Sequence, residues 1–464
     1  MPAIHTRRRF LELVSGGAAA LSQAQTGRPP NIVFILADDL GWGDLGCYGN
    51  RFAQTPNLDR MAKEGVRFEQ FYVASAVCSP SRASFLTGGF TNRHGVHSHY
   101  REMAYTQSRG LPPYLDPNLP CLPRLLKQAG YRTAMFGKWH LTASDNVRAP
   151  SPAAYGFDRH RVVAGNGDAL QRMPLDAPGW VFWPDSRPGP AWNGWRARSS
   201  ELIINEAIDF IGSGSAQPFY IQAWLFDTHG ALAPTEKQMA GFEKHGRPFR
   251  IYYGALADVD RHIGRLLARL EELGIAGNTV LIFSSDNGPE DNIIDNTQEH
   301  GVGDPGPFRG RKRSGYEGGI RVPLIVCWPG GAASGRVDRT SVVSAVDFLP
   351  TICRLAGAPT PPSTSIDGED MSEAFRGKPA TRRNPLFWDM RQDTVGPLIN
   401  RSPKLVIRDG RWKLFMHADG TGIELYDMEK SSLEVDNAAD AYPRVAQALA
   451  DRLRKWKGGA ASSH

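Results

Sequence analysis

The residues able to do chemistry fall into three groups. Cys78-Ser79-Pro80-Ser81-Arg82 leads into Ala83-Ser84-Phe85-Leu86-Thr87-Gly88-Gly89. A proline two residues after the cysteine suits the first turn of a helix, whose unpaired N–H groups face an anion. With residues 80–86 helical, Arg82 lies one turn from Cys78 and can share a ligand with it. The second group is acidic: Asp38-Asp39 and Asp286-Asn287, three carboxylates and one amide. Hard oxygen donors of this kind suit Ca²⁺ or Mg²⁺ better than a softer metal. Without a cation, adjacent carboxylates repel one another and raise each other's pKa. The third group, Lys138, His140 and His229, supplies fixed positive charge and proton transfer. Taken singly, each group has an ordinary reading, since a lone cysteine is usually buried packing and Asp-Asn-Gly usually a turn. Their joint appearance is what carries weight.

These residues share a position relative to secondary structure. Residues 31–36, Asn-Ile-Val-Phe-Ile-Leu, form a continuous apolar run that suits a strand buried on both faces, and Asp38-Asp39 follow it. Residues 132–136 read as a strand ahead of Gly137-Lys138-Trp139-His140, residues 218–226 as one ahead of Asp227-Thr228-His229, and residues 279–284 as one ahead of Ser285-Asp286-Asn287-Gly288. In open α/β sheets the carboxyl ends of strands are where ligands bind. Between them lie helix patterns at 56–65, 122–129, 200–211, 252–273 and 344–355, the last expected to kink at Pro350. Residues 158–198 read as loop, with Trp180, Trp183, Trp192 and Trp195 available to stack on sugar rings. The fold class is α/β: a large central, mostly parallel sheet flanked by helices. After about Pro385 the pattern changes to short strands at 387–390, 405–408, 412–415 and 423–427, with a hairpin signal at Asp409-Gly410 and a final helix at 442–456. The expected division is therefore an α/β domain over 28–384 and an α+β subdomain of antiparallel sheet plus helix over 385–464.

The whole chain sets limits. Its 464 residues are enough for one large domain or two unequal ones. A formal charge of +6 leans towards anionic partners, but the arginines are dispersed and nothing indicates nucleic acid. Five cysteines without a C-x-x-C pair describe neither a disulfide framework nor a zinc site. No apolar stretch is long enough to span a bilayer. Thr6-Arg7-Arg8-Arg9-Phe10-Leu11, a weakly apolar segment to Leu21 and then Ser22-Gln23-Ala24-Gln25 resemble a twin-arginine export signal over residues 1–27. That implies the twin-arginine machinery as a partner and a periplasmic or secreted destination.

The wording Cys78-x-Pro80-Ser81-Arg82-x-x-x-Leu86-Thr87-Gly88 resembles the maturation signature of the type I sulfatases, of the alkaline phosphatase superfamily. So do the run from Asn31 to Asp44, Gly137-Lys138-Trp139-His140, Ser285-Asp286-Asn287-Gly288, and Arg309-Gly310-x-Lys312-x-x-x-Tyr316-Glu317-Gly318-Gly319-Ile320-Arg321-Val322-Pro323. The motifs stand in matching order over residues 31–323, with a weaker continuation through Glu424-Leu425-Tyr426-Asp427. This resemblance implies a sulfuric ester hydrolase acting on a sulfated carbohydrate or aryl sulfate. It implies that a formylglycine-generating enzyme oxidises Cys78 to formylglycine (3-oxoalanine), whose hydrated aldehyde is the nucleophile. Carried over by motif, Asp38, Asp39, Asp286 and Asn287, with modified Cys78, hold a divalent cation, Ca²⁺ or Mg²⁺. Arg82 neutralises the diol, Lys138 and Lys312 the sulfate oxygens, while His140 is the base on the diol and His229 the acid at the leaving oxygen. Cations and fixed positive groups suit that reaction because negative charge grows on the departing oxygen. Two further readings share these residues: a phosphonate or phosphate diester hydrolase of the same fold, and an anion-binding relative without catalysis. The chain departs from the family in two places. Many relatives have proline two residues after the histidine, where this chain has Ala231. Arg311 and Arg313 flank Lys312 where small residues are common, suggesting either extra anionic character in the substrate or a solvated basic loop.

Overall fold

β1 (Asn31–Ala37) lies at the centre of an eight-stranded sheet, and its residues from Ile32 onward are fully buried, as a run with no polar alternation requires. The computed structural model describes residues 28–163, 196–230, 232–291, 300–392 and 396–459. The export address and the four tryptophans from Trp180 to Trp195 fall outside them. Along the chain follow β2 (Val66–Phe68), β3 (Phe71–Tyr72), β4 (Arg132–Lys138), β5 (Arg159–Val163), β6 (Phe219–Trp224), β7 (Thr279–Ser285), β8 (Leu324–Cys327), β9 (Arg336–Asp338) and β10 (Val343–Ser344). The large sheet has the order β5-β4-β6-β1-β7-β8-β2-β9.

Strands β5, β4, β6, β1 and β7 are mutually parallel, with Leu36 beside Trp224 on one side and Ser284 on the other. Adjacent strands lie about 4.8 Å apart, so the carboxyl ends of β4, β6, β1 and β7 form one short edge. Those are the four strands whose following residues carry the chemistry. β8 runs antiparallel to β7, which makes the sheet mixed at that side. Gly137, at φ +102°, permits the close pairing of β4 with β6: a Cβ there would lie 2.1 Å from the Trp224 carbonyl oxygen.

Helices cover both faces. The longest, Arg247–Glu272, begins five residues before its apolar periodicity does, because Pro248 occupies its first turn. No kink forms at Pro350. A 3₁₀ turn at Ala345–Asp347 hands over to a helix at Phe348–Ala356, putting Pro350 in a first turn where its missing N–H costs nothing. Residues 159–163, expected as loop, form β5, paired with β4 at the sheet edge.

The second sheet comprises β11 (Leu386–Asp389), β12 (Leu405–Asp409), β13 (Trp412–Met416) and β14 (Glu424–Asp427), all antiparallel, with Gly410 turning the β12–β13 hairpin at φ +56°. Its period of two explains its packing. Leu405, Ile407, Leu414 and Met416 face the final helix, Pro443–Gly459, through Ala446, Leu449, Ala450 and Leu453. Val406 and Phe415 instead join the main core.

That inner face also carries charge. Lys413, fully buried, donates to Glu317 Oε1 and Glu434 Oε1, each at 2.7 Å, and Glu434 Oε2 accepts the Glu317 backbone N–H at 2.7 Å. Glu317 accepts further bonds from Tyr72 and Arg321. Burial raises both acids, but Lys413, Arg321 and Arg408 outweigh it at Glu317, whereas at Glu434 burial wins and lifts the carboxyl to about 7. The small sheet is thus pinned to the loop that bears Lys312. Because the folded protein holds a proton on Glu434 that the unfolded chain releases near 4.5, this group's contribution is full below about pH 4.5 and is lost as pH rises through about 7. Glu434→Gln removes that dependence. Its melting temperature relative to the parent therefore rises from pH 5 to pH 8, equivalent to about 1–3 kcal/mol; a difference constant across that range would refute the assignment.

Candidate active site

The edge of the four parallel strands closes around the start of the helix Cys78–Thr87. Val77 is its extended N-cap, Cys78 its first residue and Gly88, at φ +70°, its left-handed stop. All ten residues are buried, which is unusual for a helix with serines and an arginine, so its polar groups need partners. Arg82 finds them: Nε donates to Asp286 Oδ2 at 2.8 Å, Nη1 to the Lys138 carbonyl at 3.0 Å, and Nη2 lies 2.6 Å from Asp286 and 3.4 Å from Asp38. Its guanidinium also stacks over Trp224 at 5.1 Å. One helical turn away, Cys78 Sγ lies 3.5 Å from Asp38 Oδ1.

The remaining residues follow the strand ends. Lys138 Nζ contacts Asp38 Oδ2 at 2.5 Å, and Lys312 Nζ contacts Asp39 Oδ1 at 2.6 Å and Glu290 Oε2 at 3.4 Å. Asn287 Nδ2 donates to Asp39 Oδ1 at 2.7 Å, and Asp286 Oδ1 accepts the Asp39 N–H at 3.3 Å. His229 Nε2 is 3.7 Å from Asp39 Oδ2, with Nδ1 donating to the Gly230 carbonyl at 2.5 Å. The structure therefore brings Asp38, Asp39, Cys78, Arg82, Lys138, His229, Asp286, Asn287 and Lys312 together. His140 stands to one side, its Nε2 bonded to the Tyr100 carbonyl at 2.9 Å. With that nitrogen carrying the proton, buried Nδ1 is left as an acceptor without a partner.

Three buried carboxylates face three buried cations, and the balance is uneven. At Asp38 burial acts upward, but Lys138, then His229, Arg82 and Lys312 outweigh it and hold the carboxyl well below its usual range. At Asp39 burial prevails over Lys312, with Asp38 and Glu290 adding to the rise. Burial, then the charge on Asp38, lifts Asp286 to about 7 against Arg82. Burial and Lys138 together depress both His140 and His229.

A divalent cation fits this donor set. Ligand atoms of Asp38, Asp39, Cys78 and His229 lie within 4.8 Å of one another, and Asn287 Oδ1 is buried without a hydrogen-bond partner. Two carboxyls lifted above their ordinary range lack positive charge that such an ion would supply. Backbone strain collects here too: Asp39, His140 and Arg313 are three of the four non-glycine residues at positive φ among the described residues.

Several contributors were not legible in the motifs. Ser79 Oγ accepts the Tyr100 N–H at 3.0 Å and so sets the carbonyl that holds His140. Thr228 Oγ1 donates to the Asp38 carbonyl at 2.5 Å. Glu290 grips Arg313 with both oxygens, at 2.5 and 2.9 Å, while Arg311 donates to the carbonyls of Glu290, Gly301 and Gly303. Both arginines beside Lys312 thus brace the loop, and neither expectation for them describes what they do. Only Glu290, close behind Asp286-Asn287, offered a sequence signal.

With this geometry in place, comparison with known proteins is decisive. The sulfatase family model matches residues 30–358, and a second, the N-sulphoglucosamine sulphohydrolase C-terminal model, matches residues 303–458. The chain belongs to the sulfatase family. It is a type I sulfatase of the alkaline phosphatase superfamily. Dog N-acetylgalactosamine-6-sulfatase is 35% identical over 421 residues, covering 85% of this chain and 74% of that protein. Mouse steryl-sulfatase is 35% identical over 418 residues, 75% of this chain and 65% of that protein. A Bacteroides thetaiotaomicron structure, described with the metabolism of multiple glycosaminoglycans, superposes with a TM-score of 0.74 at 25% identity, over 93% of this chain and all of that one.

Calcium added to chelator-treated sulfatase should raise its melting temperature, by the equivalent of about 2.7 kcal/mol at a hundredfold excess over the dissociation constant. Asp39→Asn should lose most of that gain. Melting that is the same in chelator, Ca²⁺ and Mg²⁺ would rule out a cation among these carboxylates.

Proposed function

We propose that this sulfatase hydrolyses sulfate esters of carbohydrates, using Cys78 oxidised to formylglycine and a divalent cation, Ca²⁺ or Mg²⁺. The observation that carries the reading is the position of Cys78: first residue of a buried helix, 3.5 Å from Asp38 and within the cluster of ligand atoms. Burial, opposed by Lys138 and Lys312, raises the Cys78 thiol far above its ordinary pKa. Unmodified, it is a neutral thiol and a poor nucleophile. Oxidation supplies, through the hydrated aldehyde, an oxygen nucleophile in its place.

Asp38, Asp39, Asp286 and Asn287 hold the cation, which lowers the cost of negative charge on sulfate oxygen. Arg82, bonded to Asp286, keeps a fixed positive charge one turn from residue 78. Lys138 and Lys312 stand on opposite sides of the carboxylate pair and neutralise sulfate oxygens. His140, with its proton fixed on Nε2 by the Tyr100 carbonyl, keeps Nδ1 free of a proton as the base for the diol. His229, with Nδ1 bonded to Gly230, presents Nε2 beside Asp39; as the imidazolium, with a second proton on Nε2, it gives that proton to the leaving oxygen. The N-acetylgalactosamine-6-sulfatase relatives favour a sulfated hexosamine as substrate, with aryl sulfates as simple surrogates.

Because Cys78 and the whole of its helix are buried, the maturing enzyme acts before the chain folds. We further propose that the twin-arginine segment exports the folded, matured protein to the periplasm or beyond. No described helix is long and apolar enough to cross a membrane. Changing Arg7 and Arg8 to lysine should leave active enzyme in the cytoplasm; undiminished export would point to another route.

Peptide mass spectrometry of the protein from its native host should show formylglycine at position 78. Cys78→Ala should lower sulfate release from N-acetylgalactosamine 6-sulfate and 4-nitrophenyl sulfate by at least about 10³-fold. Retained activity in that variant, or faster turnover of a phosphate diester than of either sulfate, would overturn the proposal.

A further inference from the structure

We infer that Arg196 is the positioning residue for His229, holding the turn that aims its imidazole at the leaving oxygen. This rests on the reading of His229 as the acid. The turn runs from Phe226 to His229, closed by the His229 N–H donating to the Phe226 carbonyl at 3.1 Å. One nitrogen of Arg196, Nη2, donates to the carbonyls at both ends of that turn, Phe226 and His229. The guanidinium carbon lies over the Phe226 ring, 4.4 Å from its centroid, and the side chain is buried, with the residue 3% exposed. A planar, always-charged donor reaching two carbonyls is a specific clamp that a lysine point charge reproduces only in part.

The surroundings make the clamp two-sided. Behind the turn, Ser200 Oγ donates to Asp227 at 2.6 Å, and Ser199 Oγ, at the start of the same helix, lies 2.8 Å from Asp227 Oδ1 and 2.9 Å from the Arg196 carbonyl, with one proton to share between them. In front, Thr228 Oγ1 bonds the Asp38 carbonyl and the Leu225 N–H bonds the Leu36 carbonyl at 2.8 Å, stitching the turn to β1. His229 is therefore fixed between the carboxylate strand and the start of the Ser199–Gly212 helix. The sequence after it, Gly230-Ala231-Leu232, lacks the proline that would stiffen the chain from the other direction. In this protein Arg196 ties together the carbonyls at both ends of the turn.

A residue acting through the acid has a signature that general loosening of the fold does not. Protonation of the leaving oxygen matters for a sugar alcohol and little for nitrophenolate, which departs unaided. His229→Ala should lower kcat/KM for N acetylgalactosamine 6-sulfate by about 10²–10⁴-fold while changing 4-nitrophenyl sulfate far less. Arg196→Met should show the same selectivity at about 10–100-fold, Arg196→Lys an intermediate loss, and Arg196→Met added to His229→Ala no further loss on the sugar sulfate. If His229→Ala is unselective, the role of His229 is wrong. If His229→Ala is selective but Arg196→Met lowers both substrates equally, lowers neither, or adds its full effect in the double variant, the inference about Arg196 is overturned. Should Arg196→Met fail to fold, Arg196→Lys decides by the same substrate ratio.

Discussion

Three buried carboxylates gathered at one sheet edge are the constraint on which this structure turns. Asp38, Asp39 and Asp286 all leave adjacent parallel strands at their carboxyl ends, and each would be driven towards its neutral form by burial and by its neighbours. The fold opposes this with three cations brought from elsewhere in sequence: Arg82 from a helix, Lys138 from the end of β4, and Lys312 from a loop. The opposition is incomplete, since Asp38 is held ionised while Asp39 and Asp286 are lifted. A site balanced in this way suits a divalent cation, which would offset the carboxylates that the three side-chain cations leave uncompensated. The same low-dielectric surroundings that make the carboxylates costly strengthen every interaction with sulfate oxygen.

The sheet order explains how a linear sequence produces that crowding. β1 pairs with β6 and β7, and β6 with β4, so segments near residues 38, 138, 229 and 286 become neighbours only because the crossovers return each strand beside the others. Parallel pairing puts all four exits on one edge. The cost is a set of buried backbone ends and strained residues, and the fold meets it with hydrogen bonds within the protein. Ser79 fixes Tyr100, Tyr100 fixes His140, Ser285 holds the Leu40 N–H at 3.0 Å, and Glu290 braces Arg313.

Much of this was legible in the sequence, for a physical reason. A strand buried on both faces must be continuously apolar, so the polar residue that ends it is conspicuous; Asp38, Lys138, His229 and Asp286 were each readable in that way. The antiparallel sheet was readable from its turn at Gly410 and its alternation. Edge elements were not. β2, β5 and β9 are short, flanked by charge, and owe their pairing to partners far away in sequence, which no local periodicity records. The same holds for Arg196 and Tyr100. They act through backbone carbonyls, or through one side chain brought close by the fold, and neither use leaves a pattern in residue types. Arg311 and Arg313 show the hazard from the other side: a basic run that looks solvated or substrate-directed is spent inside the protein.

The C-terminal sheet belongs to the same argument. Its outer face packs on its own helix, while on its inner face Lys413 reaches Glu317 and Arg408 donates to Tyr72 and Gln70. Glu317, which opens the short helix Glu317–Ile320 just after the loop that carries Lys312, is reached by Lys413, Tyr72 and Arg321. A buried ion network is a poor source of net stability compared with apolar packing, yet it tolerates very few relative placements of the two sheets. Lys312 must meet Asp39 within hydrogen-bonding distance across two elements that pack mainly through apolar, non-directional contacts. Directional charge pairing between them supplies the registry that apolar contact alone does not, which accounts for a lysine and two glutamates buried between the small sheet and the main domain.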